Sequence, residues 1–314
     1  MAEAKEAGMS IREGKVLLIA NPAAQNGAGA AAADRAATLL RAALGSDAVV
    51  LAKTAGPRHA SEIAERAEGC ATVLALGGDG IIHEAASGLM RRPANARPVF
   101  GIVPAGSGND YARTLGMSRK VDEACEQLLA AEPHAVDLGR VNGHWFVETL
   151  SFGLDAAIAL DTVERRKRTG RTGAVLYAEA GVDQLLHHLD ARRYTASFDG
   201  GEPTSGESIT FAVQVGPSYG GGFKICPDAR IDDGLLDVCI AHPPIGVAGA
   251  AFVFALAKSG RHTRFRQMEL RRASTLRVEF DEAPPAQMDG EVIGGRTFDI
   301  GIEPRALAVL MPPR

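Results

Sequence analysis

The sequence predicts an α/β first domain built on a doubly wound, mostly parallel sheet, followed by a β-rich antiparallel second domain. Two rhythms predict this. From Lys15 to about Ala131, short apolar strands alternate with Ala-rich helical stretches, the βα pattern of a parallel sheet. After about Asp137 the strands become shorter and are separated by Gly, Pro and Asp, which favours antiparallel pairing with a few inserted helices. At 314 residues the chain has room for about two domains.

Taken in order, residues 15–20 form a buried strand that breaks at Asn21-Pro22 and continues through Gly27 and Gly29 into a helix over 30–44. A strand at 48–52, a helix at 61–68, and apolar strands before Gly77 and over 99–103 complete the first rhythm. The second rhythm places strands at 145–151, 194–198, 209–215, 236–241 and 276–280, with one more at 307–311. Helices are expected at 174–189 and at 245–257, the latter the most apolar window of the chain. That window is too short to span a bilayer and ends at Lys258, so it reads as a packed helix, and no transmembrane segment is expected.

The chemistry concentrates where strands end. Residues 73–84 run from an apolar strand through Gly77-Gly78-Asp79-Gly80 into a helical pattern ending Ile81-Ile82-His83-Glu84. Gly77, Gly78 and Gly80 are free to take positive φ and let a ligand reach the backbone. The first N–H groups of the next helix favour an anion there. An Asp inside such a turn repels bare phosphate, which suggests a divalent metal arriving with a nucleotide. A plain βα turn that needs glycines is the competing account. The same logic returns at Pro104-Ala105-Gly106-Ser107-Gly108-Asn109-Asp110, where Ser107, Asn109 and Asp110 carry N-cap chemistry for a short helix. Three strands thus each deliver a polar, Gly-bearing loop at a carboxyl end, where open α/β sheets bind ligands.

Composition fits this picture. A net charge of −4 and a pI of about 6.1 give no global drive toward nucleic acid, and none is expected as a partner. Cys70, Cys125, Cys226 and Cys239 have neither metal-ligand spacing nor a disulfide framework, which suits a reducing cytoplasm with each thiol packed as a small apolar group. Residues 1–14 read as a polar tail without a signal segment.

Asn21-Pro22, the GGDG at 77–80 with Glu84, and the run from Pro104 to Arg113 resemble the diacylglycerol kinase catalytic-domain family, which includes small bacterial lipid kinases and the sphingosine kinases. The likeness continues through Val136-Asp137-Leu138-Gly139, Ser151-Phe152-Gly153-Leu154-Asp155-Ala156 and Gly220-Gly221-Gly222 with Pro227 and Ala229. It ends at Asp232-Asp233-Gly234-Leu235-Leu236 and Met288-Asp289-Gly290-Glu291. It implies a fold of the kind shared by NAD kinases and diacylglycerol kinases. Residues 1–136 would bind the nucleotide, completed by 303–314, and 137–302 would form a β-sandwich domain for lipid substrate and metal.

The implied reaction is transfer of the ATP γ-phosphate to a lipid hydroxyl, with diacylglycerol becoming phosphatidic acid in phospholipid biosynthesis. The resemblance assigns ATP to Asn21, Pro22, Ala23, Ala24, Gln25, Thr54, the 77–84 segment (Gly77, Gly78, Asp79, Gly80, Ile81, Ile82, His83, Glu84), Ser107 and Asn109. Thr54 alone reads equally as a turn threonine. Ser107 stands where the family usually has Thr and keeps a hydroxyl. A Mg²⁺ site is implied at Asp233 with the carbonyls of Arg230 and Leu235, a mix that suits a hard ion. Asp137 is a further metal candidate and Asp110 could join it. These residues also read simply as a turn between strands.

Asp289 and Glu291 flank a glycine at i and i+2. On one strand they would share a face and raise one another's pKa, which suits a general base. The resemblance puts the base in this triplet, with Glu291 favoured and Asp289 its rival; an Asp-Gly hairpin turn is the plain alternative. The family loop normally continues GGDG-Thr, whereas this chain has Ile81. The missing hydroxyl removes a helix-start bond worth about 1 kcal/mol. His83 reads as a surface helix residue.

Meeting a lipid requires transient peripheral contact with a membrane. The dense basic run at 164–171 is either a headgroup contact or a solvated loop before the 174–189 helix. That helix, through Leu176, Tyr177, Ala180, Leu185 and Leu189, either walls an acyl chain or packs in the core. A homodimer stays open. The rivals are an NAD kinase-like enzyme and a non-catalytic nucleotide-binding protein.

Overall fold

The computed structural model describes residue 11 and residues 13–171 and 174–313, so the expected tail at 1–14 lies mostly outside the described residues. Of its described positions, Ile11 is buried. The chain falls into two compact units, Met1–Val136 with Arg305–Arg314, and Asp137–Pro304.

The first unit is a parallel sheet with helical connections. Strand β1 (Val16–Ala20) reads VLLIA and is buried throughout, as a strand covered on both faces must be. Helix α1 (Ala28–Leu44) turns Ala33, Ala36, Ala37 and Leu40 inward at helical spacing. Next come β2 (Val49–Lys53), α2 (His59–Glu65), β3 (Thr72–Gly77), α3 (Asp79–Met90) and β4 (Val99–Pro104). Helices α4 (Asp110–Thr114) and α5 (Val121–Ala130) finish the run. Helices α2 and α3 approach closely because Gly88 has no side chain; a Cβ there would overlap the Ser61 carbonyl.

The strand order β2-β1-β3-β4 is parallel throughout, with Val16 facing both Val49 and Thr72. The chain steps from β1 to β2 on one side and then crosses to β3 on the other. The topological switch therefore lies at the carboxyl ends of β1 and β3.

Strand β5 (Glu132–Val141) leads into the second unit, where it pairs with the short β6 (His144–Phe146). The strand expected at 145–151 is interrupted at Val147-Glu148 and resumes as β7 (Thr149–Gly153). Helices α6 (Leu154–Thr169) and α7 (Ala174–His187) follow, then β8 (Arg192–Phe198), β9 (Thr204–Ser208), β10 (Thr210–Gln214), β11 (Leu236–Ala241) and α8 (Val247–Ala257). The chain ends with β12 (Met268–Ala273), β13 (Thr275–Phe280), β14 (Ala286–Met288), β15 (Glu291–Val292) and β16 (Thr297–Met311).

One antiparallel sheet runs β12-β11-β10-β7-β14-β15 and the other β16-β13-β8-β9. Phe152 and Phe211 of the first meet Phe280, Phe298 and Tyr194 of the second at ring separations of 4.5–6.3 Å, the core of a sandwich. The last residues of β16 return to the first unit, where Val309 pairs with Phe100 of β4 in parallel.

Two expectations need correction. The basic run is not a loop, because residues 164–169 are the last turns of α6. Helix α8 is not packed in the core: Ala250 and Ala257 alone are buried, while Phe252 is 58% and Val247 40% exposed.

Candidate active site

Parallel pairing brings the carboxyl ends of β1, β2, β3 and β4, and so Asn21, Thr54, Gly78 and Ala105, to one edge of the first unit's sheet. Asn21 donates its N–H to the Leu76 carbonyl at 3.1 Å across the switch point. Its side-chain oxygen accepts the Ala23 N–H at 3.0 Å and its carbonyl the Ala24 N–H at 3.2 Å, folding Asn21-Pro22-Ala23-Ala24 into a tight turn. A Cβ at Gly29 would overlap the Asn21 carbonyl, so helix α1 needs glycine to start so close. Gln25, in left-handed backbone at φ 49°, donates from Nε2 to the Gly106 carbonyl at 3.0 Å. The Thr54 N–H reaches the Ala20 carbonyl at 2.9 Å.

The GGDG segment differs from a free loop. Helix α3 begins at Asp79, inside the motif, with Gly78 extended at φ −98° and Gly80 already helical. Of Gly77, Gly78 and Gly80, Gly77 alone has positive φ. The opening N–H groups of α3 have no helical partners, and the N-cap provides no side chain to take them. Space above Gly80 is open.

This motif is knitted to the second loop. The Asp79 Oδ1 accepts the N–H of Asp110 at 2.8 Å and of Tyr111 at 3.4 Å. The start of α4 is therefore capped by Asp79. Asn109, expected as a cap, instead sits at φ 53° and closes the loop on itself, its Oδ1 accepting the Gly106 N–H at 2.9 Å and its Nδ2 donating to the Gly106 carbonyl at 2.8 Å. Asp110 pairs with Arg113. A Cβ built on Gly108 would lie 2.7 Å from Asp79 Oδ2 and 3.2 Å from Asp110 Oδ2, so two carboxylates converge beside a bare backbone. Ser107 stands half-buried at the tip.

Further along α3 the segment turns inward. Ile81 is buried, and a Cβ on Gly77 would come within 2.7 Å of its Cγ2, so the isoleucine packs over the strand end where a Thr would offer a hydroxyl. Ile82 is fully buried and gives its N–H to the Gly78 carbonyl at 3.3 Å. His83 is buried, contrary to the surface position expected of it. Glu84 accepts the Ala60 N–H at 3.2 Å in the first turn of α2, a job its spacing gives no hint of.

In the second unit, β14 and β15 form a hairpin in which Met288 faces Glu291. Asp289 and Gly290 are its turn, at φ 48° and 89°. Asp289 therefore does not share a strand face with Glu291. Its carboxylate folds back to accept three N–H groups, from Val147 at 2.7 Å, Glu148 at 3.1 Å and Thr149 at 2.9 Å, at the break between β6 and β7. Gln287, which sequence reasoning passed over, braces the turn by accepting the Gly290 N–H at 2.7 Å and donating to Ser151 Oγ at 2.8 Å. The Glu291 side chain is exposed and makes no hydrogen bond or ion pair among the described residues.

The expected metal residues are arranged differently from an open cation site. Asp137 is buried and accepts the Gly234 N–H at 2.7 Å, while its own N–H reaches the Ile231 carbonyl at 2.7 Å. Asp233 Oδ1 accepts the Leu235 N–H at 3.2 Å, and Oδ2 is paired with Arg272. The Arg230 side chain bonds Asp232 at 3.3 Å. A guanidinium already neutralises Asp233, so this turn as folded does not fit a Mg²⁺ ion. Among the described residues no group of three or more His, Cys, Asp or Glu is placed to hold a metal. Arg272 is invisible to motif reading because it reaches this turn through strand pairing, with Asp237 opposite it.

The diacylglycerol kinase catalytic domain model matches residues 15–141, and that of the YegS C-terminal NAD kinase beta sandwich-like domain matches residues 148–311. A Pseudomonas aeruginosa protein named "Probable lipid kinase YegS-like" is 32% identical over 248 residues, 78% of each chain. A Yersinia pestis protein of the same name is 30% identical over 248 residues, covering 77% of this chain and 79% of its own. A diacylglycerol kinase structure from Bacillus anthracis str. Sterne superposes with TM-score 0.72 at 20% identity, over 95% of this chain and 97% of that one. An Archaeoglobus fulgidus NAD kinase in complex with ATP gives 0.51 at 12% identity, over 95% and 93%. These last two show a shared fold. With both domain models matched in order along the chain, the protein belongs to the diacylglycerol kinase catalytic-domain family of lipid kinases, in the group that carries the YegS-type C-terminal domain.

Proposed function

We propose that the protein transfers the γ-phosphate of Mg·ATP to a lipid hydroxyl, with diacylglycerol as acceptor and phosphatidic acid as product. The observation that carries the assignment of the base is the division of labour at the β14–β15 hairpin. Asp289 is held by three main-chain N–H groups, which leaves the exposed Glu291 as the carboxylate that accepts the acceptor's proton. In the first unit, the bare backbone at Gly78, Gly80 and Gly108 and the opening N–H groups of α3 supply the phosphate cradle. The turn at Asn21 to Gln25, with Thr54, Ser107 and Asn109, borders the same sheet edge and is assigned to the rest of the nucleotide.

A Mg²⁺ ion carried in with ATP fits Asp79 better than Asp233; Asp110 beside it is, like Asp233, already paired with a guanidinium, that of Arg113. Two carboxylates converge there, and Mg²⁺ commonly takes one or two carboxylates with substrate phosphates and water. When bound, such an ion would supply positive charge to offset that of the phosphates.

The test is transfer of labelled γ-phosphate from Mg·ATP to a panel of micelle-presented lipids, with NAD as a parallel acceptor. Label in diacylglycerol, lost in Glu291→Gln, is the expected result. Label in another lipid would rename the acceptor. Label in NAD, or ATP binding without transfer to any acceptor, would overturn the reading.

A further inference from the structure

Helix α8 reads VAGAAFVFALA, eleven residues without a charge, yet most of it faces outward. Its Tyr177–Phe254 contact (ring separation 6.3 Å) joins it to α7, which exposes Val175, Val182 and Leu186 at 57–63%. The two helices thus share an apolar surface that is exposed among the described residues.

Cations adjoin it. Lys258 follows the last turn of α8 and lies over the Phe223 ring at 4.7 Å. Phe252, the exposed aromatic of α8, meets Phe265 edge-on at 5.9 Å, and Phe265 is flanked by Arg264 and Arg266. Arg261 stands at the start of the same turn, and all four cations are exposed. None of the three arginines has an ion-pair partner among the described residues. By contrast, in the basic run at 164–171, Arg165 is engaged by Asp161 and Asp183 and Arg171 by Glu179.

We infer that α8, α7 and the turn at 258–266 form a docking face for an anionic phospholipid bilayer, with Phe252 as its apolar anchor. An apolar patch bordered by lysine and arginine is the pattern of interfacial membrane binding, where the aromatic enters the acyl boundary and the cations meet headgroups. Charge argues against a second copy of the chain as occupant. A two-fold contact through this patch would bring like-charged turns into one interface. The inference extends the lipid-kinase reading, since it says where the protein meets its substrate's solvent, but it is measured without turnover.

The experiment is co-sedimentation of the full chain, without ATP, with vesicles of phosphatidylcholine alone or mixed with phosphatidylglycerol. Binding to the mixed vesicles, weakening as salt is raised, is expected. Phe252→Asp should lower it at least tenfold, and Arg261→Gln and Arg264→Gln about fivefold each. Val50→Asp, at an exposed apolar site in the first unit, should leave it unchanged, and unfolding midpoints should match the parent throughout. Equal binding by parent and variants, no binding to anionic vesicles, or a parent dimer that Phe252→Asp converts to monomer would each overturn the inference. Vesicle binding without phosphorylation of any lipid would sustain this face and sink the kinase reading instead. Phosphorylation of a dispersed short-chain lipid, retained in Phe252→Asp, would sustain both.

Discussion

The Asp79 carboxylate accepts the main-chain N–H of Asp110 at 2.8 Å, so the acid of one Gly-rich motif is the helix cap of the other. The two roles separate under substitution. Asp79→Asn keeps an oxygen to accept these N–H groups and should cost under about 1 kcal/mol, whereas Asp79→Ala loses the cap and should cost about 1–2 kcal/mol. Both remove a charge that the proposed metal–nucleotide site would use, and turnover should fall at least a hundredfold in each, by an order-of-magnitude estimate for a lost electrostatic contact. Denaturant unfolding and phosphate transfer read the two effects. Turnover that tracks stability alone would reduce Asp79 to its capping role.

Gly106 tests whether the knitted loops are the nucleotide site. A Cβ at this position would lie 2.8 Å from Asn109 Oδ1 and closer still to the Gly78 Cα, a backbone atom unable to give way. Gly106→Ala should push the two motifs apart and weaken ATP binding at least tenfold, roughly the loss of one charge-assisted hydrogen bond. Calorimetric titration with ATP checks it. Parent-like affinity would place the nucleotide elsewhere.

The hairpin at 286–292 gives two neighbouring acids opposite profiles. Glu291→Gln changes a carboxylate with no side-chain partner among the described residues, so the unfolding midpoint should hold while transfer falls about 10²–10⁴-fold. Asp289→Ala strands three N–H groups at Val147, Glu148 and Thr149 and should cost about 2–4 kcal/mol. If Asp289→Ala were as stable as the parent and Glu291→Gln were not, the two assignments would be exchanged.

What the sequence made legible follows from physics that is local in the chain. The parallel strands at 16–20, 72–77 and 99–104 are largely apolar runs that break at Asn21-Pro22, at Gly77 and at Pro104, and this punctuation survives folding. The break at Val147-Glu148 was hidden because it is imposed by Asp289, over 140 residues away, binding their N–H groups. The outward face of α8 was hidden for a different reason. Uniform apolarity has no periodicity, so it says that a helix wants burial without saying what buries it. Arg272 at Asp233 and Glu84 at Ala60 are likewise contacts that only strand pairing and helix packing create.

The cysteines offer a count that reports on the fold. Burial pushes the thiols of Cys125 and Cys239 up to about 12, and drives that of Cys226 well up, while Cys70 is raised less and is partly exposed. The thiolate is the reactive form. A thiol reagent at pH 8 should therefore label Cys70 slowly in the native protein and the other three only after unfolding. Rapid labelling of more than one thiol in native buffer would contradict the packing described around these residues.

Asp155 sets a pH dependence with a definite sign. It lies buried in the first turn of α6 and accepts a hydrogen bond from the Tyr219 hydroxyl. Burial raises its carboxyl from 3.8 to about 6, an effect that the bond from Tyr219 reduces without cancelling. Below about pH 4 the group is protonated in both folded and unfolded chains and costs nothing. Between about 4 and 6 the unfolded chain releases its proton while the fold retains it, so the parent loses stability as pH rises, by about 3 kcal/mol in all. Above about 6 the loss levels off. Asp155→Asn has no such proton, so its stability relative to the parent should climb across this window and lie flat on either side. Urea unfolding of both proteins through a pH series reads this difference directly, and any constant packing cost of the amide drops out of the slope. A difference independent of pH would mean that Asp155 is ionised in the fold at its ordinary value, and that its buried carboxylate is stabilised by more than the Tyr219 hydroxyl.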